Sequence, residues 1–128
     1  MSEPRRRRVV VIGASRDRAK YGNKSLRAHV AAGYDAFPVN PHAQSVEGLR
    51  AYANVSDVPA PIDRVSVYLP PETLLPLLPE IAAAKPAELW LNPGSESAEV
   101  VKAARALGLD PILSCSIVDV GFSPAEFV

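Results

Sequence analysis

Apolar positions in this chain fall in short β-branched runs that alternate with stretches of helical spacing, and glycine or proline marks nearly every change. Arg8-Val-Val-Val-Ile-Gly-Ala is a continuous apolar run, which predicts a strand buried on both faces and ended by glycine. Residues 22–33 predict a helix with apolar or small positions at Leu26, Ala28, Val30 and Ala31, and with Gly33 as its C-cap. Asp35-Ala-Phe-Pro-Val-Asn is a second strand, and Pro38 within it predicts an irregular or edge-like position. Val46–Tyr52 reads as a short helix or turn. Asp63-Arg-Val-Ser-Val-Tyr-Leu is a third strand. Pro70 and Pro71 then open a helix carrying Leu74, Leu75, Leu77, Leu78 and Ile81, which Pro76 and Pro79 must kink or divide. Ala87-Glu-Leu-Trp-Leu-Asn is a fourth strand. Ser95–Leu107 is an amphipathic helix with Ser95 as N-cap, Ala98, Val101 and Ala104 inward, and Gly108 as C-cap. Pro111-Ile-Leu-Ser is a fifth strand, and the tail to Val128 is irregular or partly helical.

Strands alternating with helices imply an α/β fold: a small doubly wound parallel sheet of about five strands, Rossmann-like, with helices on both faces. Right-handed crossovers suggest the strand order 3-2-1-4-5. At 128 residues the chain is expected to be a single domain, 1–128, with residues 1–7 a flexible basic tail.

Composition adds exclusions. No apolar run reaches the ~20 residues of a membrane span, and the basic start leads into a strand rather than a signal-peptide core, so a cytoplasmic location is expected. The single cysteine, Cys115, rules out an internal disulfide and a cysteine-based metal cluster. Thirteen prolines and one glutamine suggest a heat-adapted, thermostable protein. The net charge is zero, yet residues 1–33 carry nine Lys and Arg against Glu3 and Asp17. Such asymmetry suggests that the first strand–helix segment faces an anion. Arg5–Arg8 alone read as a solvated tail. The excess is local and not interleaved with aromatic residues, which argues against a nucleic-acid partner.

In open parallel sheets ligands bind beyond the carboxyl ends of the strands. The loop Gly13-Ala-Ser-Arg-Asp-Arg-Ala-Lys-Tyr-Gly-Asn-Lys is the most informative of these segments. Gly13 permits a tight turn, Ser15 offers a hydroxyl, and Gly22 and Asn23 begin a helix whose free N–H groups attract phosphate. Arg16, Arg18 and Lys20 add positive charge. Neither G-x-G-x-x-G nor G-x-x-x-x-G-K-[ST] is present, so an ordinary polar loop is the competing reading. An NAD enzyme of the usual type would carry Asp or Glu near the end of the second strand to bind the ribose. This chain has Val39-Asn40-Pro41, and Asn40 suits a neutral sugar or amide contact. His29 reads as a surface or packed histidine, while His42 lies near the expected site. No carboxylate pair falls at the strand ends, and Asp119 alone builds no mechanism. Ser95 is better explained as a cap than as a nucleophile. Cys115 fits a structural thiol, with reactivity as its alternative.

Val11-Ile-Gly-Ala-Ser, Lys20-Tyr-Gly-Asn-Lys, Gly33-Tyr, Pro38-Val-Asn-Pro and Leu89-Trp-Leu-Asn-Pro-Gly occur in that order. In this the chain resembles the small stand-alone coenzyme A-binding proteins. These are similar to the N-terminal nucleotide-binding domain of the succinyl-CoA synthetase α-subunit and of ADP-forming acyl-CoA synthetases. The resemblance covers about residues 9–120. It implies that Gly13, Ala14, Ser15 and the turn Lys20, Tyr21, Gly22, Asn23 surround the phosphates. It further implies that Val39, Asn40 and Pro41 line the ribose, Tyr68, Leu69 and Pro70 the adenine side, and Asn92, Pro93 and Gly94 the pantetheine path. Family members often carry a lysine after Val-Asn-Pro where this chain has His42-Ala43, and an acid beyond the late cysteine that Asp119 matches loosely. The ligase relatives need further domains, including one with a phosphorylated histidine.

The expectation is therefore a non-catalytic protein binding coenzyme A or an acyl-CoA, as carrier, sensor or accessory subunit. Its protein partner is not indicated. Two alternatives stand beside it: an NAD(P)-binding oxidoreductase-like or redox-sensing domain, and an interaction domain with a degenerate nucleotide site.

Overall fold

The computed structural model describes residues 5–128. Its centre is a five-stranded, all-parallel sheet built from β1 (Arg8–Ile12), β2 (Asp35–Val39), β5 (Arg64–Val67), β6 (Glu88–Leu91) and β7 (Pro111–Leu113). A separate two-stranded hairpin, β3 (Ser45–Val46) and β4 (Leu49–Arg50), follows β2. The helices are α1 (Tyr21–Ala31), α2 (Pro71–Leu74), α3 (Leu78–Ala83), α4 (Ala98–Ala106) and α5 (Ser116–Asp119).

The sheet order is β2-β1-β5-β6-β7, which is 2-1-3-4-5 among the five strands and not the expected 3-2-1-4-5. The third strand adds beside β1 because all four of its residues are buried, which requires an interior position. The outer side of β2 is already taken, since Tyr52 donates to Pro38 O and accepts from Asn40 N. Asp35 at the start of β2 is exposed, and Pro38 sits on an edge strand as its missing donor demands.

The central strands bury both faces. Val10, Ile12, Val65, Val67, Leu89 and Leu91 pack on one side with Leu74, Leu78, Ile81, Val100 and Ala104. Val9, Val11 and Ala14 pack on the other with Leu26, Tyr34 and Val46. The prolines divide the third crossover into α2, a 3₁₀ turn at Leu75–Leu77, and α3. Gly33 and Gly108, at φ +92° and +83°, end their helices as expected.

Several local expectations change. Of the helix or turn expected over Val46–Tyr52 the structure has the turn: Glu47 and Gly48 both adopt positive φ and close the two-residue turn of the β3–β4 hairpin. Ser95 is not the α4 cap: Ser97 is, accepting from Val100 N at 3.1 Å. Starting later rotates the helix, so Ala98 is exposed and Val100 is the buried residue, with Val101 only partly buried. In α1, Val30 and Ala31 are exposed, while Gly22, Asn23, Ser25, Leu26, Ala28 and His29 face inward. The sheet beneath α1 explains this choice, because β5 presents Arg64 and Ser66 there. Arg5 and Arg7 are not free in solution either: they pair with Asp63 and Glu88, at 2.7 and 3.1 Å.

Arg64 is the hub of this polar face. Its guanidinium contacts Glu88 at 2.9 Å and Asp119 at 2.7 Å, and stacks 4.5 Å from the Trp90 ring centroid. His29 lies beneath it, fully buried, with Nδ1 donating to Ser25 O at 2.8 Å and Nε2 facing Arg64 at 3.4 Å. Because the carbonyl can only accept and the guanidinium can only donate, the neutral Nδ1–H tautomer is fixed. Burial lowers the His29 pKa from 6.5 to about 4, against the Ser25 hydrogen bond and with the help of the Arg64 charge. The unfolded chain therefore binds a proton at this site between 6.5 and about 4 that the folded chain refuses, and stability falls as pH falls through that window. Asp63, held down to about 2 by Arg5, adds a second loss below 3.8 as its carboxylate protonates. Denaturant midpoints at pH 7 and pH 5 test the upper window: the wild type is expected to lose stability and His29→Phe to lose much less. Equal midpoints for the wild type at both values would refute the assignment.

Candidate functional site

The chain leaves β1 to one side for β2 and crosses to the other side for β5, so the strand order switches direction between β1 and β5. The segments after these two strands meet there. Gly13, at φ +86°, lies against Tyr68, where an added Cβ would stand 2.9 Å from the Tyr68 carbonyl oxygen. Gly22, in the first turn of α1, lies directly on the Gly13 carbonyl and leaves no room for a side chain. These two glycines draw the N-terminus of α1 down onto the end of β1. That turn has no acidic residue and no side-chain cap, so its leading N–H groups have no side-chain acceptor.

The loop between the glycines is braced from within. Ser15 Oγ accepts from Asp17 N at 3.0 Å, and Asp17 Oδ1 accepts from Ala19 N at 3.0 Å. Buried Asn23 donates to Ser15 O at 2.8 Å and accepts from Arg27 Nε at 2.7 Å. Arg27 also donates to Arg18 O at 2.8 Å. Asn40 donates to Ala14 O at 2.9 Å and accepts from His42 N at 2.8 Å, tying the loop after β2 to the loop after β1. Arg16, Arg18 and Lys20 are exposed. Among the described residues Arg18 pairs with Glu47, and Arg16 and Lys20 have no ion-pair partner. Arg5–Arg8 lie at the opposite, amino end of β1 and do not face this loop.

The third and fourth loops divide between surface and interior. Tyr68 and Leu69 are half-buried beside Gly13, and Pro70 is exposed. Asn92 is fully buried, and its amide is consumed by the fold: Nδ2 donates to Ser66 Oγ at 2.8 Å and to Val67 O at 2.9 Å. Its Oδ1 accepts from Ser116 N at 2.8 Å and Ser116 Oγ at 3.0 Å. Ser66 Oγ and Tyr68 OH lie 2.7 and 3.1 Å from Ser116 Oγ and complete the network. Burial raises the Tyr68 pKa, which keeps the phenol protonated. Asn92 therefore holds the ends of β5, β6 and α5 together beneath the site, while Pro93 and Gly94 remain exposed at its rim. Val39 is buried, Pro41 and His42 are exposed, and Cys115 is half-buried ahead of α5. Ser66 and Ser116 were not singled out in the sequence. The alternation Arg64-Val-Ser-Val was the available signal, because it marks one polar face on a strand that reads as central.

Together these elements set the exposed Arg16, Arg18 and Lys20 above a hydrogen-bonded floor. Among the described residues no buried side-chain nitrogen or oxygen lacks a partner, and no cluster of His, Cys, Asp or Glu could hold a metal ion. No helix is long and apolar enough to cross a membrane. The fold around this site is of the Rossmann-like α/β kind. The CoA binding domain family matches residues 7–120, and the chain belongs to that family. It is similar to a conserved hypothetical protein of Pyrococcus furiosus, at 32% identity and a TM-score of 0.80, over 89% of this chain and 98% of that one. It is 26% identical over 113 residues to the uncharacterized protein YneT of Bacillus subtilis, covering 88% of this chain and 84% of YneT. It is also 34% identical over 67 residues to the α subunit of the ADP-forming acetate–CoA ligase II of P. furiosus. That match takes in 50% of this chain and 14% of the subunit.

Proposed function

We propose that this protein binds coenzyme A or an acyl-CoA at the β1–β5 switch point and acts, without catalysis of its own, as a carrier, sensor or accessory subunit. The observation that carries this reading is the seating of the α1 N-terminus on Gly13 through Gly22, with exposed Arg16 and Lys20 beside it. Coenzyme A brings a pyrophosphate and a further phosphate, and a helix terminus flanked by cations favours such a ligand. Gly13, Ala14, Ser15 and Lys20–Asn23 would meet the phosphates. Pro41 and His42 would stand towards the ribose, Leu69 and Pro70 towards the base, and Pro93 and Gly94 along the pantetheine arm. Val39, Asn40 and Asn92 would support these contacts from within the fold.

Membership of the CoA binding domain family supports the ligand class. Asn40, already engaged with Ala14 and His42 where a ribose-binding acid would stand, disfavours NAD. The hydroxyls and amides around Asn92 satisfy one another, which leaves no activated nucleophile or general base among them.

A thermal-shift panel of coenzyme A, acetyl-CoA, NAD and NADP tests the reading. Stabilisation by the two CoA compounds is expected, lost in an Arg16→Ala/Lys20→Ala variant and weakened by added salt. Stabilisation by NAD or NADP alone would reject it, and so would a flat response to all four.

A further inference from the structure

The tip of the β3–β4 hairpin reaches across to the phosphate loop. Glu47 Oε2 accepts from Asn23 Nδ2 at 3.2 Å, and Oε1 lies 3.4 Å from the Arg18 guanidinium. Asn23 is the residue that fixes Ser15 O, and Arg18 belongs to the loop's cationic set, so one carboxylate engages two parts of the same site. The turn that delivers it is unusual. Glu47 and Gly48 have φ of +51° and +76°, a two-residue turn whose first position normally takes Asn, Asp or Gly. A glutamate there is in a conformation that L side chains avoid, yet its extra methylene lets the carboxylate reach α1 where a shorter acid would fall back.

We propose that Glu47 is a specificity-determining residue of the loop. Its carboxylate serves as an internal anion on Arg18 and Asn23, and a phosphate-bearing ligand recruits Arg18 only by displacing it. The inference rests on the reading of the loop as a phosphate site. Among the described residues Arg16 and Lys20 have no such partner, and they meet the ligand first. Arg18 is released only to a ligand with enough charge to outcompete a carboxylate, so the hairpin discriminates against weakly charged anions.

Titration of the full chain with inorganic pyrophosphate and with coenzyme A tests this. Glu47→Gln is expected to bind pyrophosphate about fivefold more tightly than the wild type, the scale of a partly exposed ion pair. Arg18→Ala should cost less than about twofold in the wild type and about fivefold in the Glu47→Gln background, because in the wild type the lost Glu47 contact offsets what Arg18 gains from the ligand. Glu47→Asn, which suits the turn, should repeat the gain and so separates charge from hairpin folding. Coenzyme A binding by the wild type with no gain in either Glu47 variant would overturn the inference alone, as would an Arg18→Ala effect of equal size in both backgrounds. Failure of every variant to bind either probe would overturn the phosphate-site reading with it.

Discussion

Asn92→Asp is expected to destabilise the protein by about 3–5 kcal/mol, the cost of leaving an uncompensated charge in the interior. The substitution changes almost no volume, so the effect isolates hydrogen bonding. Asn92 Nδ2 now points at Val67 O at 2.9 Å, and a carboxylate oxygen in its place would face that carbonyl with nothing to share. The hydroxyl of Ser66 can turn to donate, but the Val67 oxygen cannot. The position is fully buried, so solvent gives little relief. The sign of the pH dependence follows. Burial raises the pKa of the new acid in the folded state, so the folded variant takes up a proton before the unfolded one does, and its deficit narrows as pH falls. Urea unfolding at pH 7 and pH 5 measures both effects. A midpoint equal to the wild type's at pH 7 would mean that the Asn92 amide is free for a ligand rather than built into the fold.

Gly22→Ala is expected to cost about 3 kcal/mol and to abolish ligand binding. Two effects oppose one another. Alanine is the better helix former by about 1 kcal/mol, and at an ordinary helix position the substitution would stabilise. Here the added methyl meets the Gly13 carbonyl oxygen, with the Gly13 carbonyl carbon and Ala14 Cα close behind. Backbone cannot rotate away as a flexible side chain can, so α1 must lift from the end of β1, and the steric cost outweighs the propensity gain. Lifting the helix also withdraws its N-terminal amides from the switch point. Substitution of Gly33, whose Cβ position is open space, provides the contrast: its cost comes from positive φ alone and leaves binding intact. Calorimetric melting with and without coenzyme A separates the two losses.

How far the sequence was readable depends on the range of the interactions involved. Val9–Val11 and Leu89–Leu91 declare themselves as strands because burial on both faces selects continuous apolar runs. Pro38 predicts an edge strand, and Pro76 and Pro79 predict the broken third crossover, each through the donor that proline lacks. The strand order differs from the expected one because it is a long-range choice: Arg64–Val67 sits beside β1 once Tyr52 has closed the edge of β2. The hairpin at Ser45–Arg50 escaped because two-residue strands have no periodicity to detect. In α1 the apolar Val30 is exposed, although a buried helix face normally follows the apolar residues. This one follows Ser25 and His29 instead, toward a sheet face carrying Arg64 and Ser66.

The site shows the same division. Gly13, Ser15, Lys20 and Gly22 could be picked out because a strand–loop–helix unit makes local demands on glycine and on helix termini. Asn23, Asn40 and Asn92 were also singled out, yet their amides serve the scaffold. An asparagine's chemistry is the same in either role, and the acceptors of its amide N–H groups decide between them: Ser15 for Asn23, Ala14 for Asn40, and Ser66 and Val67 for Asn92, each 8 or more residues away in sequence. Glu47 gave no signal, because a single acid beside glycine in a turn is ordinary until the turn is seen to place it against Arg18.

Amide chemical-shift mapping of the full chain during a coenzyme A titration tests the central claim most directly, since it reports both whether the ligand binds and where. Saturable shifts are predicted for the amides of residues 13–23, 42, 68–69 and 94, with the amino ends of β1 and β5 unmoved. The absence of shifts at millimolar coenzyme A, or shifts confined to residues outside the β1–β5 switch point, would contradict the account.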